Sequence, residues 1–181
     1  MAFRSRRRRL VAVLMTASAM AGGGLGASLT FGEPPAFAFP AAGRGPQVCT
    51  ALRAAQVAEV IGFPVTATRD RPLTQPFGRV VASGNQCLYS YFDHGFHDIV
   101  GVNLFVTDAA GAYAVSFSHT PPSYRRPAPG VGSKSFFAAG IDILYVLDAR
   151  DFFEVSGIPG LPPTGGFDQA VTLAKELAKA L

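Results

Sequence analysis

The chain of 181 residues has 16 basic and 12 acidic side chains, a formal net charge of +4, and 49% hydrophobic residues. The excess positive charge belongs to the first 38 residues, which hold Arg4, the arginines at 6–9 and Glu33. The rest of the chain is formally neutral and its longest basic run is Arg125-Arg126, which excludes a nucleic-acid-binding surface.

The N terminus has the layout of a secretory signal. The arginines precede an apolar run over residues 10–31, and Ala36-Phe37-Ala38 supplies an A-x-A cleavage site. We therefore predict a signal peptide over residues 1–38, cleaved after Ala38, and an exported protein that is secreted or associated with the cell envelope. The arginine run also resembles a twin-arginine signal, so the Sec and twin-arginine routes stay open. An uncleaved membrane anchor is the alternative. No cysteine stands near the cleavage site, so we expect no lipid anchor.

Two segments follow the signal. Residues 39–48 are rich in Pro, Gly and Ala and predict a flexible tether. Residues 49–181 are long enough for a single domain with its own core. Cys49 and Cys87 are the only cysteines. In an oxidising compartment such a pair predicts one disulfide, the alternative being two buried free thiols.

Three helices are predicted in the domain. The first has apolar residues at helical spacing, Thr50 as its N-cap and Gly62 at its end. The second is short and follows Asp108. The third begins at about residue 169, after Asp168, and both aspartates are favourable N-cap residues.

The segments between the helices are rich in β-branched and aromatic residues, as strands are. Strands are predicted over residues 65–68, 87–92, 99–106, 135–138, 141–147 and 152–155. Residues 69–85 and 119–135, which contain several prolines and glycines, are predicted as long connections. Contiguous hairpins flanked by helices indicate an α+β fold. We predict one antiparallel sheet of about 5–6 strands, with the N-terminal and C-terminal helices packed on one face.

Several short motifs resemble a family of exported actinobacterial proteins, mostly lipoproteins, known as domain of unknown function 3558. The motifs are Cys49 before the helix that contains Leu52, the "CLY" strand at Cys87, and "PGVG" at residues 129–132. The extracellular sensor domain of the mycobacterial serine/threonine kinase H group is similar at the same coarse level. The resemblance implies a cell-envelope location, a Cys49–Cys87 disulfide and no established catalytic activity. It transfers no active-site residue.

The stretch "DHGFHD" at residues 93–98 holds the only concentrated chemistry of the chain. Asp93, His94, His97 and Asp98 include the side-chain types that bind zinc and similar ions. The stretch also lies between two predicted strands, where Asp and Gly favour a turn. We favour a polar hairpin loop and keep these four residues as metal-site candidates.

No catalytic motif is found. His119 lies among hydroxyl residues, but no nucleophile-elbow context surrounds it. The adjacent pairs Phe136-Phe137 and Phe152-Phe153 place one ring on each sheet face, so helices on one face alone would leave an exposed apolar patch.

These observations predict a non-catalytic, exported domain without a cofactor, which binds an envelope lipid, a peptide or a protein partner. It would meet the membrane only through an uncleaved signal segment. The alternative is a secreted metal-dependent enzyme or hydrolase that uses His94 and His97, or His119.

Overall fold

The computed structural model describes residues 45–93, 95–158 and 166–181. The predicted signal peptide, its cleavage site and residues 39–44 of the predicted tether lie outside this part of the chain. The described helices are α1 (Val48–Ala51), α2 (Ala54–Ile61), α3 (Ala109–His119) and α4 (Phe167–Ala180). Of these helices, none combines the length and the apolar composition required to cross a bilayer.

The strands form one antiparallel sheet of eight members. They are β1 (Val65–Ala67), β2 (Arg71–Phe77), β3 (Val80–Asp93), β4 (Phe96–Phe105), β5 (Arg125–Pro127), β6 (Lys134–Ala138), β7 (Ile143–Asp148) and β8 (Asp151–Ser156). Their order across the sheet is β1-β3-β4-β8-β7-β6-β5, and β2 also pairs with β3. The predicted α+β class with one antiparallel sheet is confirmed, whereas a count of about 5–6 strands is too low.

The two additional strands, β2 and β5, lie in the segments that were predicted as long connections. Pro72 and Pro76 are in β2, and Pro127 ends β5. Proline lacks the N–H donor of a ladder, so it is confined mainly to edge strands. In the described sheet β2 forms a ladder with β3 alone and β5 with β6 alone. The prolines therefore indicated edge strands rather than loops.

The predicted first helix is two helices. Leu52 has an extended backbone, which ends α1, and Arg53 is the N-cap of α2, with its backbone N–H donating to Gln56 Oε1 at 2.9 Å. Thr50 lies inside α1 and is not an N-cap. Gly62 ends α2 as predicted, with a φ of 80° that glycine adopts without strain.

The predicted N-cap roles of Asp108 and Asp168 are not observed. Asp108 precedes α3 as predicted, but its side chain makes no capping hydrogen bond. The N-cap of α4 is Gly166, so Asp168 lies within the first turn. Its carboxylate there complements the helix dipole.

Both faces of the sheet carry a core. On one face α1, α2 and α4 share a cluster with the central strands, including Leu52, Val57, Tyr89, Val102, Leu173 and Leu177. On the other face α3 packs over a second cluster, including Phe77, Phe105, Tyr113, Phe136, Tyr145 and Phe152. The prediction of an exposed aromatic face is therefore wrong for Phe136 and Phe152, because α3 covers their rings.

A disulfide joins the first helix to the middle of the sheet. The sulfurs of Cys49 in α1 and Cys87 in β3 are 1.99 Å apart, and the Cα atoms are 5.3 Å apart. The predicted Cys49–Cys87 pairing is confirmed, and the alternative of two free thiols is wrong.

Candidate functional site

The described residues of the "DHGFHD" stretch lie where β3 ends and β4 begins, in the β3–β4 hairpin. Asp93 at the end of β3 pairs with Phe96 at the start of β4. Gly95 has a φ of 85°, the left-handed conformation that tight turns require and glycine allows. His94 lies outside the described residues. The turn role that the sequence favoured for this stretch is thus the one observed.

The described ligand candidates on β4 do not converge. His97 pairs with Phe92, and the two ring centroids are 5.3 Å apart. Asp98 pairs with Tyr91. Since neighbouring residues of a strand point to opposite faces, His97 and Asp98 lie on opposite sides of the sheet. Within the described ranges, no group of three or more His, Cys, Asp or Glu is arranged to hold a metal ion.

The two aspartates of the hairpin contribute to a raised pKa of the Tyr91 hydroxyl. Burial, followed by the nearby charges of Asp98 and Asp93, raises the pKa of the Tyr91 hydroxyl to about 12. This hydroxyl donates to the Gly157 carbonyl oxygen at 3.2 Å. The phenol therefore stays protonated at neutral pH and ties the hairpin to the end of β8.

His119 is the last residue of α3, and its contacts are those of a residue at the end of a helix. Its Nδ1 lies 2.8 Å from the Val115 carbonyl oxygen. The neighbouring hydroxyls of Ser118 and Thr120 donate to the carbonyl oxygens of Val115 and Ser116, at 2.9 Å each. These hydroxyls satisfy the helix C-terminus and are not aligned on the imidazole as a nucleophile would be.

A partly buried chain of hydrogen-bonded polar side chains crosses three strands on the α3 face of the sheet. Gln86 Nε2 donates to Asn103 Oδ1 at 2.8 Å, and Asn103 Nδ2 donates to Glu154 Oε2 at 3.0 Å. Glu154 is only 6% exposed. Burial raises its pKa above the ordinary 4.5, and the hydrogen bond from Asn103 partly opposes that shift. On β7, Tyr145 pairs with Glu154, and burial together with this carboxyl raises the pKa of its hydroxyl to about 12. No sequence pattern indicated this chain.

Replacing Glu154 with glutamine is expected to remove a loss of the free energy of unfolding that occurs as pH rises. A carboxyl whose folded pKa is raised stabilises the fold below the unfolded value, and that contribution is lost as pH rises through the folded pKa. Glu154→Gln should therefore gain free energy of unfolding relative to the parent chain as pH rises above about 4.5. Urea unfolding at several pH values measures the difference. The matched control is Glu59→Gln, which removes an exposed carboxyl on α2. A difference for Glu154→Gln that does not rise with pH, or that is no larger than that of the control, would contradict the assignment.

Helix α3 presents an uncharged surface to solvent. From Ala109 to Ser118 it contains no Asp, Glu, Lys or Arg. Ala110, Ala114 and Phe117 are exposed, and their i, i+4 and i+7 spacing places them along one side. We call these three residues the α3 outer face. This uncharged run was the one sequence signal that could have indicated the surface.

The α3 outer face forms part of one wall of a cleft of about 580 Å³, which lies between α3 and the strands β6 and β7. Its volume is within the range of small-molecule sites. The helix contributes Ala110, Tyr113, Ala114 and Phe117, and the strands contribute Lys134, Ser135 and Leu147. We call this the α3 cleft.

A second cleft, of about 340 Å³, lies at the C-terminal end of α3. Its lining includes His119, Pro121, Tyr124, Ala138 and Ile141. Between the clefts, the Arg125 guanidinium carbon lies 4.0 Å from the centroid of the Phe117 ring. The Arg125 Nε donates to the Thr120 carbonyl oxygen at 2.6 Å, which holds the guanidinium in place. A mostly apolar surface with basic groups beside it thus follows α3.

Comparison with known proteins adds no assignment to this geometry. The resemblance to the exported actinobacterial family, and the cell-envelope location that it implies, therefore stay predictions. No protein-family model, no curated protein and no solved structure matches the chain.

Proposed function

We propose that this chain is a non-catalytic binding domain of the cell envelope, and that the α3 cleft and the α3 outer face form its binding surface. The basic N-terminal segment, the apolar run behind it and the A-x-A site support export. The uncharged outer face of α3 is the observation that carries the binding role.

The contrast between α3 and α4 supports this role. A helix on a protein surface normally places polar or charged side chains toward water. Helix α4 does so, with Lys175 and Lys179 exposed and Lys179 paired to Glu176 at 2.7 Å. Helix α3 exposes Ala110, Ala114 and Phe117 instead, and Phe117 is 42% exposed. Covering such a surface is favourable by roughly 25 cal/mol per Å².

The walls of the α3 cleft are held by aromatic packing. The Phe117 and Phe136 ring centroids are 5.3 Å apart, and those of Tyr113 and Phe136 are 5.7 Å apart, both edge to face. Such contacts stabilise a fixed arrangement of rings. A ligand would therefore meet a formed cleft and would not have to order it first.

A neutral apolar probe is expected to bind the α3 cleft, and a charge on the α3 outer face is expected to block it. N-phenyl-1-naphthylamine fluoresces when it enters an apolar site, so titration into the purified chain measures its affinity. Ala114→Glu should weaken binding by roughly tenfold or more, because the new carboxylate must be desolvated beside the probe. Ala114 is already exposed, so the fold should tolerate the substitution.

The control is Ala55→Glu, an exposed alanine on α2, which packs on the opposite face of the sheet. It should bind the probe as the parent chain does. Absence of binding by the parent chain, or equal binding by both variants and the parent, would overturn the proposal.

A further inference from the structure

We propose that the α3 cleft takes an amphiphile with one anionic head group, which meets Lys134, while its alkyl chain lies along the α3 outer face toward Phe117. The proposal rests on the binding role proposed above and adds the chemical class of the ligand.

The charges beside the cleft have one sign. Lys134 is exposed and, among the described residues, forms no ion pair. No Asp or Glu lines either cleft along α3. Asp148, which follows Leu147 on β7, points to the opposite face of the sheet because strand residues alternate. An anionic group can therefore approach Lys134 without displacing an existing partner.

The remaining lining suits an alkyl chain. Ala110 and Ala114 are small and lie one helical turn apart, so a chain can come close to the helix backbone. Leu147 and the Tyr113 and Phe117 rings supply the apolar walls. Each methylene group that leaves water strengthens binding about fourfold. The alkyl chain of the ligand therefore supplies affinity, and Lys134 supplies orientation and selectivity.

The cleft is less suited to an extended peptide, whose backbone needs hydrogen-bonding partners along its length. The Ser135 hydroxyl is already committed, since it donates to the Ala128 carbonyl oxygen. The lining from α3 consists of alanine and aromatic side chains. An amphiphile with a single polar end matches this distribution, with one charged group at one place and apolar contacts elsewhere.

Competition against the bound neutral probe tests the ligand class. Dodecanoate, methyl dodecanoate, dodecyltrimethylammonium and acetate are titrated at constant ionic strength, below the concentrations at which micelles form. These ligands separate an anionic chain, a neutral chain, a cationic chain and an anion without a chain. Lys134→Gln removes the cation, and Lys175→Gln on α4 is the matched loss of an exposed lysine on the other face.

We expect dodecanoate to displace the probe best and dodecyltrimethylammonium to need roughly tenfold higher concentration. Lys134→Gln should weaken dodecanoate about fivefold and leave methyl dodecanoate unchanged, whereas Lys175→Gln should change neither. Equal competition by the anionic and cationic ligands, or equal effects of the two lysine variants, would overturn the proposal of an anionic ligand. Binding of the neutral probe would still support the proposed binding role of the cleft. Competition by acetate as strong as by dodecanoate would reduce the site to a simple anion site and overturn the proposal. Failure of the parent chain to bind the probe would end both proposals.

Discussion

Replacing Phe152 with alanine is expected to lower the free energy of unfolding by about 3–5 kcal/mol, the usual cost of removing a buried phenylalanine ring. The Phe152 side chain is fully buried. Its ring centroid lies 5.7 Å from that of Phe77, 5.4 Å from Phe105, 6.0 Å from Tyr113 and 6.1 Å from Tyr145. It therefore contacts three strands and α3, and its loss would leave a cavity between the helix and the sheet.

Unfolding in guanidinium chloride, followed by circular dichroism, measures this effect. The matched control is Phe92→Ala, since Phe92 is 67% exposed on the β3–β4 hairpin. That substitution should change the free energy of unfolding by less than about 0.5 kcal/mol. A loss below about 1 kcal/mol for Phe152→Ala would show that α3 does not pack on the sheet as described.

The same substitution connects the core to the proposed binding surface. Tyr113 lines the α3 cleft, and its ring also packs edge to face on Phe152, with interplanar angle 81°. Removing the Phe152 ring should let Tyr113 and α3 shift, although Phe152 is not part of the cleft lining. We therefore expect weaker binding of the neutral probe in this variant at concentrations of denaturant where the domain is still folded.

The β-branched and aromatic composition was sufficient to predict most of the central part of the sheet. Residues Val100, Val102 and Leu104 face one core, and Phe105 faces the other. The adjacent pairs at 136–137 and 152–153 divide between the two cores in the same way. Composition therefore identified β4, β6, β7, β8 and the second half of β3, and the two buried faces of the sheet give these strands a period of two.

The features that the sequence did not predict, β2 and the break between α1 and α2, depend on neighbours that are distant in sequence. Pro72 and Pro76 are compatible with β2 only because that strand lies at an edge, and the position of a strand in the sheet is not a local property. Likewise, the break between α1 and α2 puts the buried Leu52 in an extended conformation. Its carbonyl oxygen there accepts a hydrogen bond of 2.5 Å from the hydroxyl of Tyr89 on β3.

The candidate site was missed for a similar reason. Histidine, aspartate and serine attract attention in a sequence because their chemistry is distinctive, yet His97 and His119 make local structural contacts. The α3 cleft consists of ordinary residues that become a site only when α3 crosses β6 and β7. Its lysine is 20 positions or more from the alanines that it faces across the cleft, so no short motif could contain both.

Removing the disulfide, with alanine at both Cys49 and Cys87, is expected to lower the free energy of unfolding by about 4 kcal/mol. The bond closes a loop with a sequence separation of 38, which restricts the unfolded chain more than the folded one. That loop contains α2, β1 and β2. Cys87 is also fully buried beside the core of α1, α2 and α4, so its replacement adds a small packing loss.

Reduction separates the two contributions. The parent chain in a strong reducing agent keeps both sulfur atoms but loses the cross-link, so its loss of stability should approach that of the double alanine variant. Guanidinium unfolding with and without reductant measures it, and the double variant should not respond to reductant. A parent chain that keeps its full stability when both thiols can be alkylated would contradict the cross-link as the source of stability. A large loss confined to the double variant would instead assign the effect to packing of the Cys87 sulfur. The expected result would make the disulfide a permanent cross-link between α1 and the sheet, which agrees with the proposed export of the domain.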